Sequence, residues 1–297
     1  MDWIKDLILK TKVEPFVYNQ LNDLNCKLFV KRDDLIHNEI SGNKIRKLKY
    51  NFQFCSDNSL HGIVTFGGAY SNHLIACAAA AKLAGLNIIG RVRGNELNSE
   101  SNAVLKRCKE LGMHLEFIDR SFFAMLKNQN GIVEIEGKSF LSIPEGGSNL
   151  NGVVGCKEIV TELDQDFDYY CIAQGTTTTS IGVAQSIPKN AKLIVVPVLK
   201  GFESEIEMRS IIGEYEFKKF KNQLIILDEY HFGGYSKSND VLNQFVTDFN
   251  NQNSFEIEPI YTGKAMFALV DFLKENKIRN KKVLFVHTGG LSKWNNK

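Results

Sequence analysis

Short apolar, β-branched runs recur along this chain, each separated from the next by a helix-like stretch, and that alternation restricts the fold more than any other feature. The runs are 61–65, 87–92, 114–118, 168–173, 193–198, 224–227 and 282–286. Between them, 71–83 is an Ala-rich stretch stopped by Gly85, and 102–111 has a helical pattern closed by Gly112. A strand that is apolar along its length has to be covered on both faces, and helical crossovers supply that cover. The pattern therefore predicts parallel sheet. The segment from Ile143 to Gly155, I-P-E-G-G-S-N-L-N-G-V-V-G, breaks the rhythm and reads as a hinge or crossover. The expected fold class is α/β, with two open, twisted, mostly parallel-sheet lobes and a ligand in the cleft between them. Residues 1–46 and 150–297 are expected to form the larger domain, and 47–149 the smaller.

Charge narrows the partners. Lys and Arg total 36 against 34 for Asp and Glu, a net charge of +2, which gives no reason to expect nucleic acid or an anionic membrane. A small anionic metabolite needs only a local cluster of cations. The six cysteines contain no C-x-x-C pair, so they read as buried thiols in a reducing compartment, and no metal site is expected. Met1 to Lys12 mixes charges into its apolar residues, unlike a secretory leader, and no run approaches a membrane span. A soluble, cytoplasmic protein is the expectation.

Three strand–turn–helix joints carry candidate chemistry. In S-G-N-K-I-R-K-L, Ser41, Gly42 and Asn43 are turn and cap residues that put Lys44 in the first turn of a helix. The positive end of a helix disfavours a cation, and Arg46 and Lys47 add like charge, so the Lys44 amine is biased towards its neutral, nucleophilic form. A solvated basic helix face explains this segment equally well when it is taken alone. In T-F-G-G-A-Y-S-N-H, a glycine pair leads into a helix start where Ser71, Asn72 and free backbone N–H groups could hold a carboxylate or phosphate. His73, by itself, reads more readily as a packed histidine. The third joint, Q-G-T-T-T-T-S from Gln174 to Ser180, follows a strand and precedes a helix expected from about Ile181. Consecutive threonines are poor helix formers, so they should form an anion-holding loop, and the missing Gly-Lys-Ser/Thr ending argues against a nucleotide P-loop. H-F-G-G-Y-S-K, P-I-Y-T-G-K-A-M and V-H-T-G-G-L complete the set, carrying Tyr235, Tyr261 and Thr288.

Taken in this order, the motifs resemble the 1-aminocyclopropane-1-carboxylate deaminase and D-cysteine desulfhydrase family of tryptophan-synthase-β-like, fold type II pyridoxal-phosphate enzymes. K-R-D-D, starting at Lys31, and I-P-E-G-G-S-N belong to the same match, which covers nearly the whole chain. The resemblance implies pyridoxal 5'-phosphate as cofactor, a small amino acid as substrate, and a homodimer. It implies that Lys44 carries the cofactor as a Schiff base and moves protons, and that Asn72 contacts the cofactor's O3′. Ser71 would hold the substrate carboxylate, with Asn72 and His73 beside it. Gly175, Thr176, Thr177 and Thr178 would cradle the phosphate, Tyr235 and Tyr261 would flank ring and substrate, and Thr288 would face the pyridine nitrogen.

One position separates the branches. In the cyclopropane-opening deaminases the tyrosine of the Y-x-G-K motif is followed by Glu, whereas here it is followed by Thr262. The resemblance then points to β-elimination of D-cysteine or a related D-amino acid, giving pyruvate and ammonia. The alternatives are cyclopropane-carboxylate deamination to 2-oxobutanoate, a cofactor-binding protein with little turnover, and an α/β anion-binding protein without the cofactor.

Overall fold

The structure is a computed structural model that describes residues 4, 7–8, 11–40 and 42–289. Ser41 of the first joint, and the Gly290 and Leu291 that end H-T-G-G-L, lie outside the described residues. The chain divides into two compact units, one built from residues 36–156 and the other from 11–35 together with 157–289.

The first unit is a five-stranded sheet in the order β5 (His114–Ile118), β4 (Asn87–Arg93), β3 (Gly62–Gly67), β7 (Lys138–Ile143), β6 (Gly131–Ile135). Every pairing is parallel except the β6–β7 hairpin. β3 is buried along its whole length, as a central parallel strand covered on both faces must be. Helices α1 (Asn43–Asp57), α2 (Asn72–Ala84) and α3 (Ala103–Glu110) bring Leu48, Phe52, Ile75, Leu105 and a run of alanines into one core with Ile63. The short α4 (Arg120–Leu126) is capped by Asp119, which accepts hydrogen bonds from Ser121 and Phe122 N–H.

The second unit is a six-stranded sheet ordered β1 (Val13–Pro15), β2 (Lys27–Lys31), β11 (Lys282–Val286), β8 (Tyr169–Gln174), β9 (Lys192–Pro197), β10 (Leu224–Ile226). Only β1 runs antiparallel to its neighbour. Val30, Cys171, Ile194 and Phe285 line its core. α8 (Asp240–Asn250) and α9 (Thr262–Glu275) pack Phe245, Phe249, Met266 and Leu269 against them. α6 (Thr178–Ala184) and α7 (Ser204–Lys218) are its other helices. The α/β class and the two mostly parallel sheets agree with the sequence reading.

Two local readings differ. The Gly- and Asn-rich segment is no open hinge, because Leu150–Thr161 is a helix, α5. Asn149 Oδ1 accepts the Gly152 N–H at 2.9 Å and starts it. Gly155 is glycine because α5 lies against α1 there: a Cβ would sit 1.9 Å from the Arg46 carbonyl oxygen. The division between units also falls before Ile36 and after Cys156, not at 46/47 and 149/150. α1 is one continuous helix with Ile45, Leu48 and Phe52 on a single core, so it stays whole in the first unit.

Candidate active site

Within the first unit, three of the motifs come together. Lys44 is the second residue of α1, whose first turn holds no acidic residue. Its Nζ donates to Asn43 Oδ1 at 3.0 Å. Burial, and then the nearby Lys47 ammonium, lower its pKa from the ordinary 10.5 to about 7, against smaller opposing effects from the Cys156 and Cys77 thiols. About half of such an amine is neutral near pH 7. Lys47 is itself buried and donates to the Gly146 carbonyl at 3.3 Å, fastening the P-E-G-G turn to α1. Gly147 of that turn is held in left-handed backbone, φ 72°, and a Cβ there would meet Lys47 Cβ at 3.2 Å and His73 Cε1 at 3.6 Å.

Ser71 is the N-cap of α2, and its Oγ accepts the Leu74 N–H at 3.3 Å, which leaves the hydroxyl proton for donation outward. Asn72 follows as the first residue of the helix. His73, placed with the substrate-contacting residues by resemblance, is buried against Thr65 Oγ1 at 2.9 Å, with the Cys77 thiol 3.5 Å from the same nitrogen. Burial first, and then Lys47 and Lys44, lower its pKa to about 3, so the ring stays neutral. His73 thus packs between β3 and α2.

The second unit gathers the rest. Gly175 and Thr176 follow β8, and Thr177 and Thr178 are fully buried. α6 begins at Thr178, so the threonine run is half helix and the loop is shorter than expected, because the tertiary burial of Thr178, Thr179 and Ser180 overrides their weak helix propensity. Thr177 Oγ1 is buried and has no hydrogen-bond partner. Tyr261 lies over the loop: a Cβ on Gly175 would stand 3.3 Å from Tyr261 Cε1. The Tyr235 and Tyr261 rings meet at 5.7 Å, close to edge-on. Burial, followed by Tyr235 and Glu258, raises the Tyr261 pKa well above its ordinary value, so it remains a phenol. Thr288 is buried just past β11, in a turn pinned by His287, whose Nε2 lies 2.8 Å from the Glu256 carbonyl.

Three residues of this unit escaped the sequence reading. Glu258 caps α9: its carboxylate accepts from the N–H groups of Ile260, Tyr261 and Thr262 at 2.6–3.0 Å, and from Thr262 Oγ1 at 3.2 Å. Thr262 Oγ1 in turn accepts the Glu258 N–H at 2.9 Å, so the hydroxyl at this branch-deciding position is committed to the cap. Gln174 receives the Ser180 hydroxyl and donates to Ser204 Oγ at 2.6 Å, fixing both ends of the threonine loop. Glu258 stands four residues before Thr262, and that spacing is the one signal that could have disclosed the cap; nothing local marks Gln174 or Ser204.

Residues 5–289 match the model of the pyridoxal-phosphate dependent enzyme family. The chain belongs to that family. Within it, the chain groups with the 1-aminocyclopropane-1-carboxylate deaminases and D-cysteine desulfhydrases. It is 30% identical over 291 residues to a Pyrococcus horikoshii protein named "Putative 1-aminocyclopropane-1-carboxylate deaminase", covering 93% of this chain and 88% of that one. The Pyrococcus furiosus protein of the same name is 29% identical, with 91% and 86% covered. A crystal structure of an ACC deaminase homologue superposes with a TM-score of 0.77 at 24% identity, covering 98% of this chain and 96% of that one, which shows the shared fold.

The residues fit the cofactor of this family. The lone buried hydroxyl of Thr177 is an orphan that a phosphate oxygen would satisfy, and the near-neutral Lys44 amine is the form that attacks a carbonyl. Among the described residues, no helix is long and apolar enough to cross a membrane.

Proposed function

We propose that this pyridoxal-phosphate dependent enzyme removes ammonia from a small amino acid by β-elimination, with D-cysteine or a related D-amino acid as substrate. The observation that carries the choice is the locked Thr262–Glu258 cap. It leaves no carboxylate in the position where the cyclopropane-opening branch has Glu. Elimination needs a weaker electron sink than ring opening does, because the bond to the leaving group takes up the electron pair.

When bound, pyridoxal phosphate delocalises the electron pair left as the Cα–H bond breaks. In this reading Lys44 would hold the cofactor through its amine, and the same amine, when free, would take the substrate's α-proton. Its lowered pKa suits both tasks near pH 7. Ser71 Oγ–H and backbone N–H groups at the start of α2 would bind the substrate carboxylate, with Asn72 beside the cofactor's O3′. Gly175, Thr176, Thr177 and Thr178 hold the phosphate, and Thr288 faces the ring nitrogen as a neutral hydroxyl. Tyr235 and Tyr261 flank the substrate side chain, Tyr261 as a phenol. D-cysteine and water then give pyruvate, ammonia and hydrogen sulfide. The enzyme is expected to act as a homodimer in the cytoplasm.

The test is a product screen of the reconstituted enzyme. Pyruvate with equimolar sulfide from D-cysteine supports the reading. Pyruvate from L-cysteine alone rejects the stereochemistry. The names of the Pyrococcus relatives favour a second reading, which 2-oxobutanoate from 1-aminocyclopropane-1-carboxylate would establish in place of the first.

A further inference from the structure

Lys264 is fully buried in the first turn of α9, where the positive end of the helix opposes a cation. The burial of an ammonium is costly unless its N–H groups are occupied. It bonds two backbone carbonyls of one turn: Nζ donates to His231 O at 2.8 Å and to Gly234 O at 2.7 Å. That turn is unfavourable by its own backbone. Phe232, Gly233, Gly234 and Ser236 all have positive φ (51°, 94°, 112° and 57°), and two of the four carry side chains. Its internal support is three hydrogen bonds: Gly234 N–H to His231 O, Gly233 N–H to His231 Nδ1, and Lys237 N–H to Gly234 O. The residue presented next is Tyr235, whose half-exposed ring rests on Tyr261, three residues before Lys264 on the same helix start.

We infer that Lys264 is a positioning residue: its buried ammonium clamps the His231–Gly234 turn and so sets the Tyr235 ring against Tyr261. The inference rests on the proposed function only in giving that tyrosine pair a role with substrate. One helix start thereby holds both tyrosines, one directly and one through two charge-assisted hydrogen bonds, a geometry that thermal sampling of a strained turn would otherwise blur. A side chain of similar length without donors would leave each carbonyl only its weaker bond inside the turn and release the clamp.

The experiment compares holoenzyme of wild type, Lys264→Met, Tyr235→Phe and the double variant. Lys264→Gln, shorter and without the charge, stands in if the Met variant does not fold, with the same amides exchanging faster to a smaller degree. Hydrogen exchange is read first. The amides of 229–237 should exchange at least about 10-fold faster in Lys264→Met, with the sheet and the rest of α9 unchanged. Turnover is read second: kcat should fall about 10- to 100-fold from misplacement of Tyr235, with a smaller change in KM. The Lys264→Met loss should largely vanish in the Tyr235→Phe background, because the two substitutions remove one effect. Unchanged exchange at 229–237, faster exchange across the whole second unit, or losses that simply multiply would each overturn the clamp. If the wild type turns over no amino acid, the proposed function fails while the exchange comparison still decides the clamp.

Discussion

The residue set of the first unit and that of the second solve opposite electrostatic problems. Around Lys44 the first unit combines burial with like charge: Lys47 is buried three residues further along α1, and His73 is held neutral. The result is a lysine whose proton is easily lost. The second unit carries hydroxyls, those of Thr177, Tyr235, Tyr261 and Thr288, and uses its buried charges for architecture. Glu258 caps a helix and Lys264 holds a turn. The amine is thus kept near neutral by burial and one like charge in the first unit, and shape is kept by pairing charges with backbone in the other. Removing a group from the first set should change chemistry; removing one from the second should change binding and order.

The widest separation is expected from Lys44→Ala. It should cost at least about 10⁴-fold in turnover and abolish the visible absorbance of the lysine-bound cofactor, with the fold kept, as circular dichroism would report. Retained absorbance at the wild-type position would remove Lys44 from its central role.

Next is the pH dependence of the cofactor-free protein. Lys44 has a folded pKa of about 7 against an ordinary 10.5, so between those values the unfolded chain binds more protons. Stability from this group therefore rises with pH across that window. His73, lowered to about 3 from 6.5, acts with the same sign between pH 3 and 6.5. Urea midpoints measured at pH 7.5 and 9.5 should converge in Lys44→Met relative to wild type. Equal gaps in the two proteins would mean that the lysine is not perturbed.

The smallest effect tests the neutral set. Thr177→Val removes a buried hydroxyl that has no protein partner. The cofactor-free protein should gain about 1 kcal/mol, while pyridoxal phosphate should bind about 10-fold more weakly, because the hydroxyl is costly unpaired and useful paired. Losses in both would show that Thr177 serves the fold rather than an anion.

Much of this was readable in the chain because it depends on local pattern. Apolar β-branched runs alternating with helices required parallel sheet, and S-G-N-K placed Lys44 in a helix start, since strand burial and cap chemistry are set by neighbours in sequence. Ser71 as N-cap followed from the same logic. What local pattern cannot carry is the value of a group's partners. The threonine run was read as loop from propensity, yet packing of Thr178 and Ser180 wound half of it into helix. The glycines of 152–155 were read as a hinge, yet Gly155 is there because a second helix backbone leaves no room for a side chain. His73 read locally as a packed histidine and by resemblance as a substrate neighbour, and its ring partners, Thr65 and Cys77, come from β3 and from a turn further along α2. The sequence by itself determined the α/β class and the family motifs, with Lys44 among their residues. Only the tertiary structure decided that this lysine is near neutral, that Thr262 is committed to Glu258, and that Lys264 faces the Tyr235 turn, because desolvation and long-range hydrogen bonds arise from residues far apart in the chain.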